Sequence, residues 1–158
     1  MTLYAGGMSA EADPIADELG DLVFQVAGRL RGGFNAAAAE MGLPPAQALL
    51  LANLSEPTPM RELAVWLSCE PSNVTGIVDG LERRGMVARR PDPADRRVKH
   101  VVLTKEGERG RAELRARGQA QAQALFAPVA ADKEHLRDLL AAVLAGSPEP
   151  ARCQAPRR

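Results

Sequence analysis

The chain has 158 residues, 20 basic and 20 acidic side chains, 46% hydrophobic residues and two cysteines. That length suits one domain around a single core, and the apolar and charged contents exclude an intrinsically disordered chain. No apolar run reaches 18 residues and no basic-then-apolar leader is visible, so neither a membrane span nor export is expected and the reading is cytoplasmic.

Asp13-Pro14 reads as a helix start, with Asp13 as the cap and Pro14 preset for the first helical position. Ile15, Leu19, Leu22, Val23, Val26, Leu30 and Phe34 recur at spacings of three and four, which predicts a helix to about Met41, roughly 40 Å long, with Gly32-Gly33 as a bend. So long a helix outruns a small domain, and part of its stripe calls for a cover from outside. Gly42-Leu43-Pro44-Pro45 ends it and launches a short helix through Leu49, Leu50, Leu51 and Leu54. After the break at residues 55–59, Thr58 is expected to cap and Pro59 to open a helix carrying Met60, Leu63, Ala64 and Leu67. Beyond Ser68-Cys69, Glu70-Pro71 opens the next, with Val74, Ile77, Val78 and Leu81 on one face and Gly85 at its end. Two short helices joined by a tight turn predict a helix-turn-helix.

From Met86 the period changes. Met86 to Arg90 and Val98 to Leu103 are valine-rich and flank a proline-containing turn, which predicts an antiparallel ribbon with the basic stretch RRPDPADRRVKH at its tip. Zero formal charge conceals a sharp asymmetry: residues 1–82 carry 3 basic and 11 acidic side chains, whereas residues 83–99 carry 7 and 2. Local positive charge of this kind points to a polyanion. Thr104 is expected to cap a helix reaching towards Phe126, a break follows near Pro128, and Asp132 caps a last helix with Leu136, Leu139, Leu140, Val143 and Leu144 on one face. Residues 147–158 have no periodicity and read as a flexible tail.

The expected fold class is therefore mainly α, a winged helix-turn-helix with long N- and C-terminal dimerisation helices. Residues 13–42 form the first dimerisation helix, 43–103 the winged domain and 104–146 the C-terminal dimerisation helices. A helix fits the roughly 12 Å major groove, so Ser72, Asn73 and Thr75 are the candidates for base edges, while Arg83 and Arg84, further along, suit the DNA backbone. On the ribbon, Arg89, Arg90, Arg96, Arg97 and Lys99 are candidates for minor-groove or phosphate contacts. Each has a plainer reading. Charge runs are usually solvated surface, and serine or asparagine at a helix start usually caps. Cys69 reads as a small buried thiol before it reads as a redox sensor, and Trp66 as core packing before ligand stacking. Cys69, Cys153, His100 and His135 supply no disulfide or metal-ligand spacing, and no cofactor is expected.

Residues 61–107, RELAVWLSCEPSNVTGIVDGLERRGMVARRPDPADRRVKHVVLTKEG, resemble the MarR family of bacterial transcription regulators, above all in Leu63-Ala64, Val74-Thr75, Leu81-Glu82-Arg83-Arg84-Gly85, Asp95-Arg96-Arg97 and Leu103-Thr104 followed by Gly107. The resemblance implies a homodimeric, sequence-specific regulator of double-stranded DNA, expected here to be a repressor of palindromic operators released by a small, often phenolic or aromatic-acid, effector. It implies that Asp95 holds the wing's arginines in place and that Arg96 and Arg97 are groove or phosphate ligands. The effector is implied to bind between the dimerising helices and the winged domain; no residue pattern names it, and Arg29 or Arg31 is a candidate cation only if it is an acid. Family members often carry a basic or long polar side chain where this chain has Gly76 or Gly80, so base contacts there are not carried over. Two alternatives are a winged-helix protein-interaction module without DNA binding and a redox-responsive regulator acting through Cys69. An enzyme is not expected, because no nucleophile is paired with a base and no phosphate-binding glycine loop occurs.

Overall fold

Asp13 starts the first helix, α1 (Pro14–Glu40), by accepting from the amides of Ile15 and Ala16 at 3.0 and 3.3 Å. The computed structural model describes residues 13–146 apart from Ser68, Ala94 and Arg96; Cys153 and the tail lie outside the described residues. α1 continues through Gly32-Gly33 without interruption. Gly33 serves a different purpose from the expected bend: a Cβ there would overlap the Gln121 amide, whose Nε2 donates to the Arg29 carbonyl at 3.0 Å. Gly42, at φ 65°, turns the chain into α2 (Pro45–Asn53).

The winged unit departs from expectation at its first element. Thr58 and Pro59 do not cap and open a helix but form a strand, β1, with Thr58 opposite Val101 and Pro59 opposite His100. Thr58 is buried, and its hydroxyl donates to the Glu56 carbonyl at 2.9 Å. The helix of this turn, α3 (Met60–Trp66), is followed by α4 (Pro71–Arg83). Gly85, at φ 69°, ends α4 with its amide on the Glu82 carbonyl and releases the chain into the ribbon. β2 (Val87–Pro91) and β3 (Lys99–Leu103) then pair antiparallel, within a residue of the expected limits, in a sheet of order β1-β3-β2.

Val74, Val78 and Leu81 on the back of α4 are fully buried with Leu50, Leu51 and Leu63, each contributing about 1.5–3 kcal/mol of apolar transfer. This core fixes α4 with its opposite face outward. Trp66 is not part of it: the residue is 46% exposed, because the core-facing side of α3 is taken by Leu63, Ala64 and Leu67. Cys69 is half-buried at the core's edge.

α5 (Lys105–Leu125) begins under the wing, where Thr104 accepts from Gly107 N at 3.1 Å and returns its own amide to the Met86 carbonyl at 3.1 Å and its hydroxyl to the Gly85 carbonyl at 2.5 Å. Further along, Arg111 donates to the Leu54 carbonyl at 2.8 Å and Arg115 to that of Ala52 at 3.4 Å, satisfying carbonyls that the end of α2 leaves open. Arg117 bridges Glu113 and Glu40. One helix thus ties together α1, α2 and the wing. A 3-10 turn at Ala127–Asp132 leads to α6 (Lys133–Gly146). No described helix is long and apolar enough to cross a membrane.

Candidate nucleic-acid interface

The outward face of α4 begins with Ser72, Asn73 and Thr75, all exposed within its first five residues. Glu70 occupies the cap position but makes no side-chain cap bond. Gly76 lies on the same face, with nothing within 4 Å of an added Cβ. Gly80 is different: it is buried, and a Cβ there would overlap the side-chain amide of Gln47 on α2. The two α4 glycines therefore separate by role, one an open surface and one an inward notch. A crevice of about 530 Å³ runs between the starts of α2 and α4, bordered by Gln47, Leu49, Leu67, Cys69, Asn73 and Ile77.

Arg83 and Arg84 lie in the last turn and at the C-cap of α4, both exposed, about 16 Å along the axis from Ser72. They stand beside the wing rather than beside the polar cluster. Arg90 and Lys99 are exposed on adjacent steps of the ribbon, Arg90 opposite His100 and Lys99 opposite Pro91. Arg97 is exposed in the turn that joins the strands; Arg96 lies outside the described residues. Among the described residues, the side chains of Arg83, Arg84, Arg90, Arg97 and Lys99 form no ion pair, which leaves a band of uncompensated positive charge from the end of α4 to the wing tip.

The turn is held by backbone bonds. Asp92 N donates to the Val98 carbonyl at 3.0 Å and Val98 N to the Asp95 carbonyl at 2.9 Å. Asp95 N donates to Asp92 Oδ1, and Asp95 Oδ1 accepts from Arg97 N, both at 3.0 Å. Asp95 thus shapes the loop through the Arg97 amide, not through that residue's guanidinium, and sets the direction in which Arg97 leaves the chain. His100 Nε2 sits 3.5 Å from Asp92 Oδ2 at the loop's base.

Arg89, expected among the residues that reach DNA, is engaged on α4 in this structure: Nη2 meets Asp79 Oδ1 at 2.5 Å, Nη1 meets Glu82 Oε2, and its amide donates to Glu82 Oε1 at 3.2 Å. Burial acts to lower its pKa, but the bond to Asp79 and the charge of Glu82 outweigh that and hold the guanidinium above its ordinary value. Asp79 and Glu82 are the residues that reading the sequence missed. The signal was present, since Arg89 shares strand parity with buried Val87 and must face α4, where residues 79 and 82 stand one turn apart.

The MarR family model matches residues 43–99, the winged unit up to the start of β3. The chain is 31% identical to a MarR-family transcriptional regulator from Rhodococcus sp. RHA1 of known structure, with 84% of this chain and 96% of that one aligned at a TM-score of 0.66. It is 30% identical to CouR from Rhodococcus jostii RHA1, whose structure is bound to p-coumaroyl-CoA, over 88% of this chain and all of that one, at a TM-score of 0.66. It is also 37% identical over 99 residues, 59% of this chain and 56% of the relative, to the transcriptional activatory protein BadR of Rhodopseudomonas palustris. The chain spans a third to a little over half of the length of the curated relatives it matches.

Proposed function

The chain belongs to the MarR family of transcription regulators, and from that membership we propose that it binds double-stranded DNA as a homodimer, recognises a palindromic operator and represses transcription until a small aromatic effector releases it. The observation that carries this reading is the uncompensated cationic band of Arg83, Arg84, Arg90, Arg97 and Lys99 alongside a groove-sized helix whose start exposes Ser72, Asn73 and Thr75. Polar side chains at the start of α4 read base edges, the arginines at its end meet phosphates, and Arg97, with Arg96, enters the adjacent minor groove. Counterion release at the phosphates supplies the affinity.

Dimerisation is supported by two uncovered apolar faces. Ile15, Leu19, Leu22, Val23 and Phe24 in the first half of α1 are between 49 and 80% exposed, and Leu139, Leu140, Val143 and Leu144 of α6 between 40 and 76%. Exposed apolar area of that extent is unusual on a monomer. A groove of about 560 Å³ between the end of α5 and α6, lined by Phe126, Leu136, Leu140 and Leu144, continues the same surface. In this reading residues 13–42 and 104–146 form the dimer and residues 43–103 carry the DNA contacts, with two copies of α4 reaching half-sites about one helical turn apart.

The likeness to CouR, whose structure holds p-coumaroyl-CoA, supports an aromatic acid or its thioester as the effector. Such a molecule releases DNA only by binding the DNA-free conformation more tightly. A dimer seated over a promoter excludes polymerase and represses, whereas BadR is named a transcriptional activatory protein. Selection of duplexes from a random pool tests the reading: it yields a two-fold sequence with half-sites about ten base pairs apart, bound by a dimer and released by p-coumaroyl-CoA or a related aromatic acid. Enrichment of no sequence overturns it. A reporter fused to the selected site gives the sign.

A further inference from the structure

We propose that Arg89 is a positioning residue that touches no DNA: it locks the wing's first strand onto the recognition helix and screens that helix's own carboxylates from the phosphates. The inference rests on the DNA-binding reading above and adds a residue to it. The geometry is that of a fork matched to a helix face. Asp79 and Glu82 are three residues apart on α4, one turn, and the two Nη groups of Arg89 each take one of them while the Arg89 amide takes the second oxygen of Glu82. A planar guanidinium with two fixed donor directions holds such a pair; a lysine ammonium meets it with one point charge and no fixed angle.

The position of the clamp gives it leverage. Arg89 stands in the middle of β2, opposite Val101, with Val87 buried on the same face. Fixing both its main chain and its side chain to α4 therefore fixes the angle between the helix and the ribbon that carries Arg90, Arg97 and Lys99. The carboxylates matter for a second reason. The side chains of Asp79 and Glu82 are 44 and 40% exposed, on the helix proposed to enter the groove, and there they would repel phosphate. Arg89 is the least exposed of the three at 24%, so it faces the carboxylates and not solvent.

This leads to an outcome opposite to the electrostatic default. Replacing Asp79→Asn and Glu82→Gln together removes two negative charges beside the DNA and frees a guanidinium. Were Arg89 a phosphate ligand in waiting, affinity would rise. The clamp instead predicts that affinity for a duplex selected by the wild-type protein falls at least tenfold, while affinity for a scrambled duplex, held by charge alone, does not fall. Arg89→Lys, which keeps the charge and loses the fork, loses selected-duplex affinity by a similar factor. Equal or tighter binding of the selected duplex by the double variant overturns the proposal, as does full activity of Arg89→Lys. If the double variant unfolds, the single Glu82→Gln variant is measured in its place, with a loss of at least threefold expected and no loss overturning the proposal. Amide hydrogen exchange separates this from the function it rests on: if the wild type selects no duplex, exchange at residues 87–90 must still accelerate at least tenfold in the double variant, and unchanged exchange overturns the clamp by itself.

Discussion

Gly107 and Gly118 lie on the same helix, and alanine at the two positions is expected to change stability with opposite signs. In a helix interior alanine is favoured over glycine by about 0.8–1 kcal/mol. At Gly118 nothing lies within 4 Å of an added Cβ, so Gly118→Ala stabilises by about that amount. At Gly107 the Cβ overlaps the Met86 carbonyl oxygen and stands 2.9 Å from its carbon and 3.1 Å from Leu103 Cδ2, where ordinary contact begins at 3.4 Å. The obstacle is backbone, and it is the carbonyl that accepts the Thr104 amide at 3.1 Å. Relief requires moving Met86, which costs about 1–3 kcal/mol for overpacking and about 1 kcal/mol for the weakened bond. Set against the helix preference of about 1 kcal/mol, Gly107→Ala comes out destabilised by about 1–3 kcal/mol. Urea denaturation of both variants at unchanged slope measures the difference. A Gly107→Ala protein as stable as the parent refutes the reasoning, because it would mean that the start of α5 is not pressed against the segment between α4 and β2. As Met86 leads directly into β2, the same variant is expected to bind its duplex more weakly.

Other consequences are open to direct measurement. Removing Arg97 and Lys99 by alanine substitution flattens the plot of log affinity against log salt by about 0.9 for each phosphate that is no longer neutralised; an unchanged slope places those side chains away from DNA. Gly76→Ala, on an open helical face, raises stability by roughly 1 kcal/mol and leaves affinity unaltered, and weaker binding would reveal close backbone approach to DNA there. Arg111→Ala leaves the Leu54 carbonyl without its 2.8 Å donor and lowers stability by about 1–3 kcal/mol, read by denaturation. Val143→Asp with Leu144→Asp, on the uncovered face of α6, shifts sedimentation from dimer to monomer, and a persistent dimer would move the interface elsewhere.

Much of the fold is legible because its elements carry local signals. Asp13, Thr104, Gly42 and Gly85 mark ends that depend on neighbouring residues only, and the three-and-four spacing of Val74, Val78 and Leu81 survives as the buried back of α4. What escaped is non-local. β1 is two residues long and exists only through its pairing with Val101 and His100, so no periodicity announces it. On α5, Arg111 and Arg115 are taken by carbonyls of α2 and Arg117 by Glu40 and Glu113, contacts that no local pattern announces. In the candidate interface, exposure of Ser72, Asn73 and Thr75 follows from the helix face opposite Val74 and Val78, and that of Arg90 from the strand parity opposite to Val87. The engagement of Arg89 depends on two acidic residues in a different element, visible only once strand parity is combined with the face of α4.

The affinity of the wild-type protein for a selected and a scrambled duplex, titrated from about 50 to 200 mM salt, bears most directly on the proposed role. A cationic helix-and-wing surface makes log affinity fall linearly with log salt on both duplexes, with a slope of at least about −4 from roughly five or more neutralised phosphates, and the selected duplex keeps a surplus of at least about a thousandfold over the scrambled one, about 4 kcal/mol, at every salt concentration. Binding indifferent to salt, or equal on the two duplexes, contradicts it.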